Sequence, residues 1–234
     1  MAESLCIVAP AYNEAANLEA FCAEWLPVIR SRGILLLVDD GSSDGSGALL
    51  DRLATTHTGI QVLHQPHRGH GAAIVAGYHQ ALDAGADWIF QVDSDRQFDP
   101  ADFEKLWSAR HDSAFVLGVR AARHDRPLRI VLSATHRTML NLLFGTRLRD
   151  PNAPYRLLRA SLLRELLASI PDGVFAPNVF LALAACRRGC TPCEVSVSHL
   201  ARSAGTTSIH WWKTLRIGWR CGIELWRFRF QKES

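Results

Sequence analysis

Trp88-Ile-Phe-Gln-Val-Asp-Ser-Asp-Arg-Gln-Phe-Asp-Pro100 passes from an apolar run directly into a polar cluster. The run has the composition of a buried strand, so Asp93 and Asp95 fall at its C-terminal tip, where parallel α/β sheets bind their ligands. Asp99-Pro100 then supplies a cap and a first-turn proline for a following helix. Two carboxylates and the Gln97 amide within five residues are hard oxygen ligands, suited to Mg²⁺ or Mn²⁺ carrying a phosphate. A solvated acidic turn would have the same composition, so the surrounding chain has to decide.

Upstream, three more strand–helix units precede this one. Ser4–Ala9 reads as a buried strand, broken by Pro10-Ala-Tyr-Asn-Glu14 and followed by an amphipathic helix bearing Leu18, Phe21, Trp25 and Ile29 on one face. Ile34–Val38 is a second apolar strand, ending in Asp39-Asp40-Gly-Ser-Ser-Asp44, where Ser43 or Asp44 can cap the next helix. Ile60–Leu63 is a third, and Arg68-Gly-His-Gly71 leads from it into a small-residue helix over Ala72–Ala84. Strand–helix alternation with connections too long for hairpins means βαβ units and a mainly parallel sheet. The polar residues after the first, second and fourth strands therefore share one sheet edge.

The second half is less regular. A strand is expected over Ala114–Gly118, a long helix over Leu128–Phe144, and a proline-bracketed loop over Arg149–Arg156 that enters a short strand. Helices follow over Ser161–Ser169 and Asn178–Arg188, then an extended segment over Cys193–His199. No repeat or low-complexity linker divides residues 1–208.

The bulk properties narrow the partners. The net charge of +3 hides an asymmetry: from Arg202 onward there are seven Lys/Arg against two acids. A basic tail suits an anionic surface, and no recognised nucleic-acid module accompanies it. No signal-peptide pattern opens the sequence, and no apolar run approaches the roughly 20 residues a membrane span needs. A cytoplasmic location is the expectation. Cys186, Cys190, Cys193 and His199 contain one C-x-x-C pair without a knuckle signature, so reduced structural thiols are expected there rather than zinc.

Pro10-x-Tyr12-Asn13-Glu14, Asp39-Asp40-Gly41-Ser42 and Asp93-x-Asp95, in this order after successive strands, resemble the inverting glycosyltransferases of family 2 with the GT-A fold. The resemblance covers roughly residues 5–208. It implies a Rossmann-like α/β catalytic domain and a nucleotide-sugar donor site built from Pro10, Tyr12, Glu14, Asp39, Asp40, Gly71, Asp93 and Ser94. Tyr12 would stack on the base, and Glu14 with Asp39 or Asp40 would accept from base N–H groups or ribose hydroxyls. Asp93, Asp95 and Gln97 would hold the metal, and Asp95 would take part in catalysis. Arg68-Gly-His-Gly71 reads equally as a phosphate cradle or as a turn that lets a helix pack closely.

The arginines narrow the resemblance. Ten lie between Arg120 and Arg164 against two acids, Asp125 and Asp150. This looks like the polyprenyl-phosphate glycosyltransferases, the dolichol-phosphate mannose synthase group, and by that likeness Arg120, Arg129, Ser133 and Arg202 are carried over as acceptor-phosphate contacts. A phosphate acceptor is already nucleophilic, so cationic clamping matters more than a general base. Pro151-Asn-Ala-Pro-Tyr155 departs from the glycine-containing centre of that group's loop, which leaves sugar and acceptor identity open.

Residues 209–234 form a basic amphipathic helix, with Trp212, Leu215, Trp219, Ile223, Trp226 and Phe230 on one face and Lys213, Arg216, Arg220 and Arg227 beside it. That face suits either an anionic headgroup layer or packing on the domain. The composite expectation is a peripheral enzyme moving a hexose from a nucleotide-sugar, GDP-mannose first and UDP-glucose or UDP-GlcNAc next, to a polyprenyl phosphate. It would work beside a membrane-anchoring partner or a second copy. The alternatives are a soluble hydroxyl acceptor, with Asp150 as base, and a non-catalytic nucleotide-sugar-binding subunit.

Overall fold

The computed structural model describes residues 3–30, 32–120, 138, 140–200 and 211–230, the stretch 211–220 by its backbone alone. The alternating half runs β1 (Leu5–Ala11), α1 (Ala15–Ile29), β2 (Gly33–Asp39), α2 (Ser46–Thr56), β3 (Ile60–His64), α3 (His70–Asp83) and β4 (Trp88–Gln91). A 3₁₀ turn over Pro100–Asp102, with the Asp99 carboxylate accepting from Ala101 N at 2.9 Å, leads into α4 (Phe103–Ala109). Then come β5 (Phe115–Arg120), β6 (Arg156–Arg159), α5 (Ala160–Ser169), α6 (Pro177–Arg187), β7 (Cys193–Val197) and α7 (Trp211–Phe230). Of the long helix expected over Leu128–Phe144, residues 140–144 are described and are helical.

Seven strands form one sheet in the order β3-β2-β1-β4-β6-β5-β7. All neighbours pair in parallel except at β6, which runs antiparallel to both β4 and β5. The mainly parallel α/β fold is as expected, and the reversed β6 is an addition to it.

Period-two alternation along β1 explains the layering. Leu5, Ile7 and Ala9 pack with Leu18, Phe21 and Trp25 of α1 and with Phe103 of α4 on one face. Cys6 and Val8 meet Ile74 and Tyr78 of α3 and the apolar residues of α6 on the other. A sheet buried on both faces must be apolar throughout its central strands, as β1, β2 and β4 are. Close approach of α3 depends on Gly77: a Cβ there would lie 2.4 Å from Val8 Cγ1 and 3.0 Å from Val38 Cγ2.

The end of α7 joins the α3/α6 layer. Leu225 and Phe228 are buried, Phe228 packs on Phe180 at 5.1 Å between centroids, and the Arg187 guanidinium sits 4.3 Å from its centroid. Arg187 Nη2 donates to Arg229 O at 2.7 Å and Arg229 Nε to Leu143 O at 2.8 Å. Ile223, Trp226 and Phe230, the described members of the aromatic face, remain exposed. Through Leu225 and Phe228 the described end of this helix packs on the domain, while its other face is open to solvent. The side chains of Trp212, Lys213, Leu215, Arg216, Trp219 and Arg220 lie outside the described residues.

Candidate active site

The sheet order places β2, β1 and β4 side by side, and the register aligns Ala11 with Asp39 and Val8 with Gln91. Tyr12, Asp39-Asp40 and Asp93 are therefore delivered to one edge by three adjacent parallel strands, as a ligand site at strand tips requires.

Hydrogen bonds stitch the first two loops together. Asn13 takes a left-handed conformation (φ 55°), its N donates to Ser42 Oγ at 3.0 Å, and its Oδ1 accepts from Ser43 N at 2.8 Å. Glu14 N donates to Ser46 Oγ at 3.0 Å. Asp44 accepts from Ala15 N at 3.1 Å and from Ser46 N at 3.0 Å, so it secures the start of α2 although Gly45 is the N-cap. The Glu14 carboxylate accepts from Asn17 Nδ2 at 2.6 Å.

Asp39 and Asp40 are both buried, and each has taken partners. Asp40 accepts from Gln65 Nε2 at 2.5 Å, Arg68 N at 2.9 Å and Gly69 N at 2.8 Å, and lies 2.8 Å from His67 Nδ1. Its carboxylate is thereby filled by the 65–69 loop, which makes it the organiser of that loop. Gly41 (φ 69°) is needed for the same reason, since a Cβ there would meet His67 N at 2.7 Å. Asp39 accepts from Ser42 N at 3.0 Å and faces His64 Nδ1 at 3.0 Å. Burial pushes its carboxyl upward, but the Ser42 hydrogen bonds and His64 outweigh that and hold it below the usual range. Tyr12 is half-exposed and stacks on His67, with centroids 4.2 Å apart and planes at 25°. His67 was not legible from sequence, because nothing in its spacing signals a ring beneath Tyr12.

The fourth-strand loop is tied to the first by Ser94 Oγ, which donates to Pro10 O at 2.9 Å. Ser94 and the Pro10 carbonyl thus serve each other. Arg96 adopts a left-handed conformation (φ 60°) and turns back to Glu24 of α1, donating from Nε at 3.0 Å. Burial raises the Asp93 carboxyl, opposed by the charges of His70, Arg120 and Arg156 and by Gln91. Among the described residues its polar contacts are long, 3.5 Å to both His70 Nε2 and Gln91 Nε2. Asp95 Oδ1 accepts from Gln97 N at 3.2 Å. Gln97 bridges to the 198–200 segment: its O accepts from Leu200 N at 2.8 Å and its Nε2 donates to Leu200 O at 3.4 Å, which leaves Oε1 for a ligand.

These residues fit a phosphate-borne cation. A buried carboxylate held, among the described residues, only by contacts of this length gains from an adjacent positive ion. Among the described residues no three His, Cys, Asp or Glu side chains converge as an all-protein cage. Mg²⁺ and Mn²⁺ sites that take one or two carboxylates and complete their shell with substrate phosphate and water do not need one.

Gly71 is explained by packing. A Cβ there would lie 2.7 Å from Phe175 O and 2.9 Å from Pro177 Cδ, so the glycine admits the 174–177 loop against α3. From the same motif it is His70, unassigned from sequence, that reaches Asp93.

The arginine side is organised by one ion pair and one buried guanidinium. Arg120 Nε donates to Asp150 Oδ2 at 2.7 Å, both groups being largely buried. Arg156 is fully buried and donates to Ala153 O from Nε (3.0 Å) and Nη2 (2.6 Å), to Asn178 O (2.8 Å) and to Pro151 O (3.0 Å). Burial pulls its pKa down to about 10. Arg156 thus fixes the proline-bracketed loop that carries Asp150. Arg129, Ser133 and Arg202 lie outside the described residues.

A mainly parallel α/β sheet in this strand order, with polar residues at its central strand tips, is the fold of the GT-A glycosyltransferases. The chain belongs to glycosyl transferase family 2, whose profile matches residues 6–167. It is similar to the polyprenol monophosphomannose synthase of Mycolicibacterium smegmatis, 29% identical over 215 residues that cover 87% of this chain and 80% of the relative. It is also similar to the undecaprenyl-phosphate mannosyltransferase of Micrococcus luteus, 27% identical over 212 residues and 86% of each chain. Among solved structures, glucosyl-3-phosphoglycerate synthase from Mycobacterium tuberculosis, with Mn²⁺, uridine diphosphate and glucosyl-3-phosphoglycerate, superposes with a TM-score of 0.70 at 19% identity, covering 99% of this chain and 82% of that one. At that identity the likeness speaks to the fold.

Proposed function

We propose that the protein transfers a hexose, with inversion, from a nucleotide-sugar to a polyprenyl phosphate at a membrane surface. GDP-mannose is the first donor and UDP-glucose or UDP-GlcNAc the next. The observation that carries this reading is that Asp150, the carboxylate a hydroxyl acceptor would use as base, is buried and held in an ion pair, Arg120 Nε donating to its Oδ2 at 2.7 Å. A hydroxyl acceptor would need a carboxylate base, whereas an acceptor phosphate needs cations to seat it. The activities named for the two relatives, polyprenol monophosphomannose synthase and undecaprenyl-phosphate mannosyltransferase, agree with a polyprenyl-phosphate acceptor.

In this reading Tyr12 stacks on the base, the 39–44 and 65–69 loops shape the nucleoside pocket, and Glu14 accepts from ribose or base. Asp93, Asp95 and Gln97 would hold Mg²⁺ or Mn²⁺, which when bound offsets the charge of the departing diphosphate. The Mn²⁺ in the structural neighbour agrees with this choice of ion. Arg120, with Arg129, Ser133 and Arg202, seats the acceptor phosphate. An acceptor oxygen attacks the anomeric carbon from the face opposite the diphosphate, the old C–O bond breaks, and the nucleoside diphosphate leaves with that electron pair.

A thermal-shift panel of GDP-mannose, UDP-glucose and UDP-GlcNAc, with and without Mn²⁺, tests the donor side. One nucleotide-sugar is expected to stabilise the protein by about 2.7 kcal/mol at a hundredfold excess over its Kd, and far less without the ion. No shift with any donor would contradict the reading.

The exposed face of α7 supplies the surface contact in this account. Among the described residues no helix is long and apolar enough to cross a membrane. Trp226 and Phe230, with centroids 4.9 Å apart, stand exposed beside Arg227 and Arg229, a pairing suited to anionic headgroups. Because Leu225 and Phe228 belong to the core, surface substitutions probe this better than truncation. Trp226→Ser with Phe230→Ser is expected to weaken co-sedimentation with vesicles containing anionic lipid by about tenfold or more, with the fold intact. Unchanged partitioning would refute the surface role.

A further inference from the structure

His64, at the end of β3, stands between two carboxylates. Its Nδ1 lies 3.0 Å from Asp39 Oδ2 and its Nε2 lies 3.0 Å from Asp51 Oδ1 on α2. Ionised carboxylates only accept hydrogen bonds, so both ring nitrogens donate and the ring is an imidazolium. Gly47, at the start of α2, makes room for the pair: a Cβ there would lie 3.0 Å from Asp39 Oδ2 and 3.7 Å from His64 Cε1. From Asp39 the hydrogen bonds continue without a break to the first-strand loop. Asp39 Oδ1 accepts from Ser42 N at 3.0 Å, Ser42 Oγ from Asn13 N at 3.0 Å, and Asn13 follows Tyr12 directly.

We propose that His64 is a positioning residue for donor binding: as a cation bridging Asp51 and Asp39 it fixes the 39–44 turn, and through it the Tyr12–Asn13 loop that receives the nucleoside. This rests on the reading of the Tyr12 side as the nucleotide site. The charged groups facing His64 are Asp39 from β2 and Asp51 from α2, and the next histidine along the strand tips, His67, is turned to Asp40 instead. Hydrogen bonds donated to Asp39 and then to Asp51 raise the His64 pKa above its ordinary 6.5, against the opposing effect of burial. A raised pKa means the bridge is complete below the ordinary histidine value and is lost as pH rises through the raised one. Donor affinity follows the same course.

The test is the Kd of GDP-mannose and of UDP-glucose, each with Mn²⁺, from about pH 5.5 to about pH 9, a range in which histidine titrates and the donors' diphosphate diesters do not. For the full chain, affinity for the bound donor is expected to fall about tenfold across this range, the size of one charge-assisted hydrogen bond. Asp51→Asn alters an exposed residue outside the donor loops. It is expected to move the midpoint to lower pH, because the imidazolium then faces one carboxylate instead of two. His64→Gln is expected to lower affinity about tenfold at low pH and remove the pH step. Profiles of the parent and Asp51→Asn that superimpose, or a step that survives in His64→Gln, would overturn the role of His64 while leaving the nucleotide site standing. Binding of neither donor at any pH would overturn both.

Discussion

Asp95→Asn is expected to leave a folded protein whose turnover is about 10²–10³-fold lower, the usual cost of removing one charged group from a site that stabilises a departing anion. The substitution keeps the side-chain shape and the acceptor oxygen facing Gln97 N, at 3.2 Å in the parent, so the strand-tip loop keeps its course. What it removes is the negative charge that would share a cation with Asp93. Burial already penalises the Asp93 carboxylate, and without a partner the pair holds a divalent ion more weakly. The loss is expected in kcat, and raising Mn²⁺ recovers part of it. Transfer at the parental rate by a variant of unchanged melting temperature would take Asp95 out of the chemistry.

Arg156→Met has the largest expected effect on stability. Four hydrogen bonds from one fully buried guanidinium satisfy the carbonyls of Pro151, Ala153 and Asn178. Removing it takes a donor from each of these carbonyls, at about 1–3 kcal/mol for each one left unsatisfied, partly recovered by relaxation and by methionine's easier burial. A net loss of about 3–5 kcal/mol follows, a fall of roughly 6–20 °C for a chain of this size. Arg156→Lys fares little better, because one ammonium cannot span three carbonyls set around a planar fork. Urea denaturation gives the midpoints directly. A midpoint for Arg156→Met within experimental error of the parent would show that the 150–156 loop does not depend on this side chain. The same loop carries Asp150 and through it the Arg120 contact, so turnover falls with stability.

The alternating half of the fold was legible because its signals are local and repeated. Apolar runs at Leu5, Ile34 and Trp88 specify buried parallel strands, and each ends at a polar tip, so the shared edge of Tyr12, Asp39 and Asp93 could be placed from sequence. The reversal of β6 could not. A four-residue strand carries no periodicity that encodes direction, and its orientation is set by pairing with Trp88–Gln91 on one side and Phe115–Leu117 on the other.

Side-chain roles were legible in type more than in detail. Asp40 reads as a ligand from its company, yet its carboxylate is consumed by the 65–69 loop, a fact of packing that spacing does not carry. Arg68-Gly-His-Gly71 reads equally as a phosphate cradle or as a close-packing turn, and the carbonyl of Phe175, 2.7 Å from where a Gly71 Cβ would stand, shows the close packing that spacing alone could not single out. Arginine defaults to the surface in sequence reasoning, so the buried Arg156 was placed at the end of its loop without its role inside it. His64, His67 and His70 were missed together, since a histidine gains its meaning from the two groups its nitrogens face.

The central claim is the acceptor, and product analysis tests it most directly. The protein is incubated with Mn²⁺, a radiolabelled nucleotide-sugar that the thermal-shift panel shows to bind, and polyprenyl phosphate in detergent or vesicles. The label is predicted to enter the organic phase as a hexosyl phosphoprenol, labile to mild acid. Arg120→Ala is predicted to reduce this transfer while donor binding persists. Label that moves to a soluble hydroxyl compound and never to the lipid, with transfer lost in Asp150→Asn, would contradict the account.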